Sequence, residues 1–584
     1  MRLTWKSAAD VGILLALVLA GFGLWILHGR AWGLGTRSPV LNYDTAQYAV
    51  AARELAEHGR LATRFALPVE LARHAVPPWP LAAVQPGLVL TEAAIFRLVP
   101  RIVHIGDLFT FYLQVAHQRE WLTLLVPFFC YLMLGAALAL ITARLLARHA
   151  PSVGPGGQRL AALTVGLAFL LDAEAQHFAV GGYPELPFTL GLAGAFAALV
   201  SGRAAPQRPF LFGLLLGVTG SFRASGLWLA PVLALAAAIL TPGRRPRVIL
   251  LTLLGFALPL APWWYYKWRA FGSPAWDLSS LILWEGVQGR TWFSLFNLPE
   301  TPVLPRGMEA AGLLAAKIGR RLPGLLMAVA TGPRALWAGA LVLWLATCRP
   351  PRPLAVAAGA VLAANAMALL AAAASIPWRQ FLFPTRVLLE AAGMLALWGL
   401  LARAPVPAIG PRLAGVLKVG VAALAIVWGA TQTLRGTEEA RRTSTERGVP
   451  SVLTLRDLGH RLRQRVPENE VVMSNLGPML SWYSGRSVVH LAQTPADLAA
   501  CRRRLEFRHV LVVFRDVEAV WPGWEDVFLR PDEATRYPEW NVVRVIHWRQ
   551  YDGFRIVWLE LGPPEPTLAR ARSAAPAAAD RGGG

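Results

Sequence analysis

Charged residues and cysteines are scarce in this chain of 584 residues. Only 16% of the residues are charged and 55% are hydrophobic, whereas about one quarter of an average soluble protein is charged. This composition excludes an intrinsically disordered chain, which needs low hydrophobicity, and argues against a single water-soluble domain. The three cysteines, Cys130, Cys348 and Cys501, are too few and too scattered for a disulfide framework or a metal knuckle.

Acidic residues are also few: 35 Asp and Glu stand against 57 Lys and Arg, which gives a formal net charge of +22. The excess lies upstream of Thr431, in the apolar part of the chain, where there are 35 basic and 16 acidic residues. This part contains no basic stripe with interleaved aromatic residues, so we expect no nucleic acid partner. A positively biased, apolar chain indicates a polytopic membrane protein.

Apolar segments predict about eleven membrane-spanning helices before Thr431, because a helix needs roughly 20 apolar residues to cross a bilayer. The stretch Pro209–Leu240 is too long for one span, and Ser221-Phe222-Arg223 interrupts it, which predicts two short helices with a turn. One more span lies within Pro323–Thr347, with an expected kink near Pro333. The other predicted spans are Val11–His28, Trp121–Ala143, Leu160–Phe178, Leu186–Ser201, Val248–Tyr266, Leu354–Ala374, Val387–Ala402 and Leu413–Thr431.

The short loops between these spans predict the orientation of the chain. Five of them contain basic residues and no acidic ones: Arg144–Arg159, Gly202–Arg208, Gly243–Arg247, Arg349–Pro353 and Arg403–Arg412. By the positive-inside rule, these loops and the N-terminus lie in the cytoplasm. Everything after Thr431 then lies outside, and nearly all the acids of the membrane region collect on the outer face.

Two regions outside the spans have a recognisable organisation. The first outer loop, residues 29–120, is far longer than the usual connection of about 4–6 residues. It contains two amphipathic helices, predicted at Asp44–His58 and Pro86–Leu98, which we expect to lie along the membrane surface. Residues 432–562 alternate short apolar runs with helical patterns, which predicts an extracytoplasmic α/β domain. The tail, residues 563–584, has the composition of a disordered segment.

Within the α/β domain, the pattern is clear enough to place individual elements. Strands are predicted at Glu470–Leu476, Ser487–Leu491, His509–Phe514, Asn541–Ile546 and Arg555–Leu561, and helices at Val452–Arg465, Gly477–Tyr483 and Thr494–Phe507.

A resemblance to a known family arises in the first outer loop. The run Asn42-Tyr43-Asp44-Thr45-Ala46-Gln47-Tyr48, continuing to Ala52-Arg53-Glu54-Leu55 and Gly59, resembles the first-loop motif of the GT-C superfamily. These are membrane glycosyltransferases that use polyprenyl-phosphate sugars. The most similar branch contains bacterial protein mannosyltransferases and aminoarabinose transferases. Similar segments follow in the family's order: Gly213–Gly217 leading to Ser221-Phe222-Arg223, Pro259–Pro274, and Trp378–Pro384.

The resemblance covers residues 1–431 and implies a GT-C-like fold in a bacterial cytoplasmic (inner) membrane. It implies that a sugar passes from a polyprenyl-phosphate donor to an extracytoplasmic acceptor, a glycan, lipid or protein, with inversion at the sugar carbon. Two positions depart from the family pattern. Thr45 stands where many members have a second acid, and Gln85-Pro86-Gly87 replaces a Lys/His-Pro-Pro segment. The sequence therefore identifies no cofactor and leaves a divalent metal open.

The resemblance also assigns roles to individual residues. Asp44 is the candidate base for the acceptor hydroxyl, although an aspartate at this place also suits a helix N-cap. Tyr48, four residues after the acid, is expected to bind substrate. Glu185 resembles the second acidic position, which orients a substrate, but Pro184-Glu185 also suits the start of a helix.

Three arginines are candidates for the donor phosphate, because guanidinium groups bind phosphate oxygens in pairs. Arg223 lies in the predicted outer turn, and Arg379 and Arg386 lie near the outer ends of two late spans. Snorkelling to lipid headgroups is the alternative for all three. A metal site at Asp172, Glu174 and His177 is disfavoured by their spacing. The rival function is a transporter or lipid flippase, which should show internal repeats and broken helices.

Overall fold

The computed structural model describes residues 8–35, 37–99, 118–201, 207–376, 379–403, 411–446, 450–516, 520–550 and 552–563. The predicted disordered tail, apart from Pro563, lies outside the described residues. So does the end of the first outer loop, residues 100–117, with Asp107.

Apolar helices form most of the chain before the C-terminal domain. Their bounds are α1 Ala8–Trp32, α2 Tyr43–His58, α3 Pro86–Leu98, α4 Gln118–His149, α5 Gly154–Leu170, α6 Ala173–Gly181, α7 Glu185–Val200, α8 Pro209–Gly220, α9 Gly226–Ile239, α10 Arg245–Phe271, α11 Trp292–Phe296, α12 Gly307–Ala330, α13 Pro333–Cys348, α14 Arg352–Ala374, α15 Arg379–Arg403 and α16 Pro411–Glu446. All but α2, α3 and α11 correspond to the predicted apolar segments, and the prediction of a polytopic membrane protein is confirmed.

The expected number of about eleven spans is not confirmed. Six described helices are long and apolar enough to cross a membrane, or up to eight if each of two bent pairs is one span. The helices α7, α8 and α9 are apolar but shorter, with 16, 12 and 14 residues. The two short helices predicted on either side of Arg223 are confirmed as α8 and α9.

Two predicted spans are bent. The prediction of one continuous helix over Leu160–Phe178 is wrong, because α5 ends at Leu170 and α6 starts again at an angle of 56°. The side chain of Asp172 caps α6 by accepting a hydrogen bond from the backbone N–H of Ala175 at 2.8 Å. The kink expected near Pro333 is confirmed as a bend of 81° between α12 and α13.

Glycines bring α8 and α10 into close contact. A Cβ atom on Gly213 would collide with the carbonyl oxygen of Thr252, and one on Gly217 would collide with that of Phe256. The spacing of these two glycines is that of the GxxxG motif, which lets two helix backbones approach closely. This contact fixes the end of α8 that leads into the turn carrying Arg223.

The C-terminal region folds as the predicted α/β domain. Its helices are α17 Val452–Arg465, α18 Gly477–Ser484, α19 Pro495–Arg504 and α20 Glu525–Leu529, and its strands are β4 Val471–Ser474, β5 Ser487–His490, β6 His509–Phe514, β7 Val542–Arg549 and β8 Arg555–Leu561. The five predicted strands and three predicted helices are confirmed. The sheet order is β2-β5-β4-β6-β8-β7, in which β2 is the short strand Phe65–Ala66; β2, β5, β4 and β6 are parallel, and β8 and β7 are antiparallel.

The edge strand β2 comes from the first outer loop. It comprises Phe65–Ala66 and pairs with Val488 and Val489 of β5. Two further short strands of that loop, β1 Ala62–Thr63 and β3 Trp79–Pro80, pair with each other. The first outer loop and the C-terminal domain are therefore one folded unit, which the sequence pattern did not predict.

A shared apolar core holds this unit together. Buried residues of α2, α3, α17 and α18 pack in one cluster with Trp263 of α10. The guanidinium of Arg53 on α2 donates to the carbonyl oxygens of Trp482 at 2.8 Å and Ser481 at 3.1 Å. Both amphipathic helices predicted in the first outer loop are confirmed, and they pack against α17 and α18 of the C-terminal domain.

Candidate functional site

Asp44 lies in the first turn of α2 and is exposed to solvent. The residue that caps this helix is Asn42, whose Oδ1 accepts from the N–H of Thr45 at 3.0 Å. The Oγ1 of Thr45 accepts in return from the N–H of Asn42 at 3.1 Å, which completes a capping box. The alternative prediction that Asp44 caps α2 is therefore wrong, and its carboxylate is available for other interactions.

The start of α2 is held against the turn between α6 and α7. The Nδ2 of Asn42 donates to the carbonyl oxygen of Gly181 at 3.3 Å. Glu185, the first residue of α7, follows this turn and is 1% exposed. The prediction that Glu185 opens a helix is confirmed, and the contact with Asn42 brings this helix start next to the turn that carries Asp44.

Arg223 joins these elements from the turn between α8 and α9. Its Nη1 forms an ion pair with Oε1 of Glu185, and its guanidinium lies 5.7 Å from the ring centre of Phe381 on α15. It is also close enough to Asp44 and Tyr48 for electrostatic interaction. We call Asp44, Tyr48, Glu185 and Arg223 the Asp44 cluster. Four of the six residues expected to act are thus brought together.

Two opposing effects set the pKa of the Asp44 carboxyl in this cluster. Protein atoms crowded around Asp44 desolvate its carboxyl and raise the pKa above the ordinary value, while the charge of Arg223 lowers it. Burial raises the pKa of the Tyr48 phenol well above 10, so Tyr48 remains a neutral hydrogen-bond donor. The second oxygen of Glu185, Oε2, is buried without a hydrogen-bond partner among the described residues.

The segment Gln85-Pro86-Gly87 explains one departure from the family pattern. The N–H of Gly87 donates to the carbonyl oxygen of Ser221 at 2.8 Å, a bond that a proline in this position could not form. A Cβ on Gly87 would lie 2.6 Å from the Oγ of Ser221. The start of α3 therefore supports the turn that carries Arg223.

The sequence did not predict that Gln85, Glu92 and Asp277 belong to the surroundings of Tyr48. Gln85 donates through Nε2 to Oδ2 of Asp277 at 3.2 Å, and Asp277 and Glu92 both interact electrostatically with Tyr48. Glu92 is fully buried, and neither of its carboxyl oxygens has a hydrogen-bond partner among the described residues. Glu92 and Asp277 are both among the acids expected on the outer face; the packing of α3 against α2 places Glu92 near Tyr48, and Asp277 is held there by its hydrogen bond with Gln85.

The two remaining candidate phosphate ligands, Arg379 and Arg386, both lie on α15. Arg379 is the first residue of α15, and its side chain lies outside the described residues. Arg386 contacts three carboxylates: Asp172 at 2.8 Å, Glu174 at 3.0 Å and Glu390 at 3.8 Å. All three supply its counter-charge, and Asp172 and Glu174 also hold α15 against the break between α5 and α6.

The described residues contain no group of three or more His, Cys, Asp and Glu side chains that could hold a metal. At the disfavoured site, Asp172 and Glu174 direct carboxylate oxygens toward Arg386. The ring of His177 packs between Trp32 and Tyr183, at 5.5 and 5.6 Å between ring centres.

No protein-family model and no curated protein matches this sequence. Similar solved structures include two of ArnT from Cupriavidus metallidurans. The crystal structure bound to undecaprenyl phosphate matches with a TM-score of 0.54 and 12% identity, over 94% of this chain and 98% of that chain. The apo structure matches with a TM-score of 0.51 and 13% identity over the same shares. The predicted GT-C-type fold is confirmed by this likeness.

Proposed function

We propose that this chain is an integral membrane glycosyltransferase that transfers a sugar from a polyprenyl-phosphate donor to an extracytoplasmic acceptor. The observation that carries the proposal is the Asp44 cluster, in which an exposed carboxylate lies beside an arginine held by a buried glutamate. The fold shared with ArnT, which was crystallised bound to undecaprenyl phosphate, supports a lipid-linked donor.

The geometry suits a direct displacement. Asp44 takes the proton of the acceptor hydroxyl as its oxygen attacks the anomeric carbon of the donor sugar. The bond between that carbon and the phosphate oxygen breaks, and polyprenyl phosphate leaves with the bonding electrons. Attack opposite the leaving group inverts the configuration of the carbon.

Arg223 stabilises the charge that develops on the departing phosphate. The ion pair with Glu185 fixes the orientation of the guanidinium, and the free Oε2 of Glu185 can accept a hydrogen bond from a substrate hydroxyl. Tyr48 donates a hydrogen bond from the next turn of α2. In this proposal Arg386 is a structural residue rather than a phosphate ligand, and Arg379 remains a candidate ligand.

The proposal is tested in membranes supplied with a panel of polyprenyl-phosphate hexoses and pentoses. Asp44→Asn and Asp44→Ala should each lower the transfer rate by about 100-fold or more, because they remove the base. Glu57→Gln is the matched control, since Glu57 lies near the other end of α2 and is paired with Arg119 on the surface. Full transfer by both Asp44 variants at normal membrane levels would refute the proposal.

One observation favours the rival function of lipid or solute transport. The break between α5 and α6 carries the ion-pair network of Arg386, and broken helices with buried charges are common in transporters. A flippase would move a fluorescent polyprenyl-phosphate analogue across proteoliposome membranes without consuming it. That movement, unchanged in Asp44→Asn, would favour the rival.

A further inference from the structure

Aromatic side chains from three separate parts of the chain meet in a row that begins at Tyr43, the residue before Asp44. The ring of His490 in β5 lies 5.2 Å from that of Tyr43 in α2 and 5.0 Å from that of Trp521. Trp521 in turn lies 5.0 Å from Phe293 of α11. We call Tyr43, Phe293, His490 and Trp521 the aromatic platform. Its outer members, Trp521 and Phe293, are partly exposed.

The platform lies where a sheet of this topology offers a binding site. From the central strand β4 the chain passes through α18 to β5 on one side, and from β5 it passes through α19 to β6 on the other side. Ligands of open α/β sheets bind outside the carboxyl ends of parallel strands where the connections diverge in this way. His490 is the last residue of β5, and Trp521 follows the end of β6.

Polar groups accompany the rings at this place. The hydroxyl of Tyr43 and Nδ1 of His490 share a hydrogen bond of 2.9 Å. The Nδ2 of Asn297 donates to the carbonyl oxygen of Leu491 at 3.1 Å, which anchors the segment after α11 to the end of β5. The Oδ1 of Asn297 is fully buried and has no hydrogen-bond partner among the described residues. A buried amide oxygen of this kind normally has a donor.

This combination suits a carbohydrate. A pyranose ring has an apolar C–H face that packs on aromatic rings. Its hydroxyl groups can donate hydrogen bonds to carbonyl oxygens, phenol oxygens and imidazole nitrogens. Sites of this kind combine aromatic walls with a few placed polar groups. An acyl chain could pack on the rings but has no donor or acceptor for the polar groups beside them, so a carbohydrate fits the combination better.

The platform is also connected directly to the proposed base. Tyr43 and Asp44 are consecutive, with Cα atoms about 3.8 Å apart, and Tyr43 interacts electrostatically with the carboxylate. We propose that the aromatic platform binds a sugar ring of the acceptor, so that the acceptor of this enzyme is a glycan or the sugar headgroup of a glycolipid. The role of this sugar as the acceptor rests on the proposed function, whereas the binding of a sugar at the platform does not.

The test measures binding rather than transfer. The full-length protein in nanodiscs is titrated with linear tetrasaccharides of glucose, mannose and N-acetylglucosamine, and contact is detected by saturation-transfer NMR. At least one probe should bind, and Trp521→Ala and Phe293→Ala should each weaken it about tenfold. Trp548→Ala is the matched control, because Trp548 is a partly exposed tryptophan of β7 that lies beside Arg461.

The outcomes separate the two proposals. Glu57→Gln, at the other end of α2, should bind the tetrasaccharide as the unchanged protein does, since it retains the platform. Trp521→Leu and the thermal midpoint of each variant show whether lost binding reflects lost folding. Absence of binding by all three probes, or equal weakening in Trp548→Ala, overturns the platform. Normal sugar binding in a protein that transfers nothing would overturn the proposed function and leave the platform intact.

Discussion

The ionisation of Asp44 should set the lower pH limit of activity. A base must be deprotonated, and crowding by protein atoms raises the pKa of Asp44 above its ordinary value of 3.8. We therefore expect kcat to fall, as the pH drops, at a higher pH than an unperturbed aspartate would give. The Arg223→Gln variant loses the positive charge that lowers this pKa, so the acid limb of its residual kcat should move to higher pH. Arg223→Lys, which keeps the charge, should move it less. A limb that stays at the same pH in Arg223→Gln would contradict the assignment of Asp44.

Glu70 should make the stability of the first outer loop depend on pH. It is 5% exposed, and burial raises the pKa of its carboxyl from 4.5 to about 8, while a hydrogen bond from the N–H of Leu67 lowers it. Because the folded state holds the proton more tightly, stability is greatest below pH 4.5 and falls as the pH rises through about 8. Glu70→Gln should remove this loss, which is on the order of a few kcal/mol. Thermal unfolding in detergent between pH 5 and 9 measures it, with the exposed Glu468→Gln as control. If the thermal midpoint of Glu70→Gln fell with rising pH as steeply as that of the unchanged protein, the expectation would be contradicted.

At the scale of single residues, the sequence predicted which residues form the candidate site better than it predicted what each of them contacts. Asp44, Tyr48, Glu185 and Arg223 came from motif resemblance, and the structure brings them together. Pattern alone could not say that Asn42 rather than Asp44 caps α2, because either residue type suits that position. Nor could it say that three acids contact Arg386, since two of them come from a helix break more than 200 positions away.

The paired glycines of α8 should control the position of Arg223. Gly213→Ala and Gly217→Ala each place a methyl group against the backbone of α10, so the helices must separate. We expect each variant to lose about 1–3 kcal/mol of stability and to lower the transfer rate by displacing the turn that carries Arg223. Thermal unfolding and transfer assays measure the two effects. Gly194→Ala is the control, because its Cβ would make only an ordinary contact of 3.8 Å with Leu215.

Element positions were predictable where periodicity is strong. Helix α3 begins and ends at the predicted residues, Pro86 and Leu98, and the five strands of the C-terminal domain lie at the predicted places. The bend between α5 and α6 was missed because both flanks are apolar and the break depends on the side chain of Asp172. Hydropathy averages over such a break. It also does not decide whether the short apolar helices α7, α8 and α9 count as membrane spans.

At the scale of the whole molecule, the largest omission was the union of the first outer loop with the C-terminal domain. The pairing of β2 with β5 involves two residues of β2, Phe65 and Ala66, separated from their partners by more than 400 positions. A strand this short carries no period that a sequence pattern could detect. The same union brings His490 to Tyr43, the residue that precedes Asp44, and His490 in turn contacts Trp521.

The proposed chemistry also requires that this united region face away from the cytoplasm, as the basic loops predict. Ser152, in the basic loop between α4 and α5, and Thr535, in the C-terminal domain, are both exposed and can each be replaced by cysteine. A membrane-impermeant maleimide should label Thr535→Cys in intact spheroplasts and label Ser152→Cys only after the membrane is permeabilised. The unchanged protein measures any background from Cys130, Cys348 and Cys501. The opposite labelling pattern would place Asp44 in the cytoplasm, where the acceptor proposed for the aromatic platform would have to be a cytoplasmic glycan.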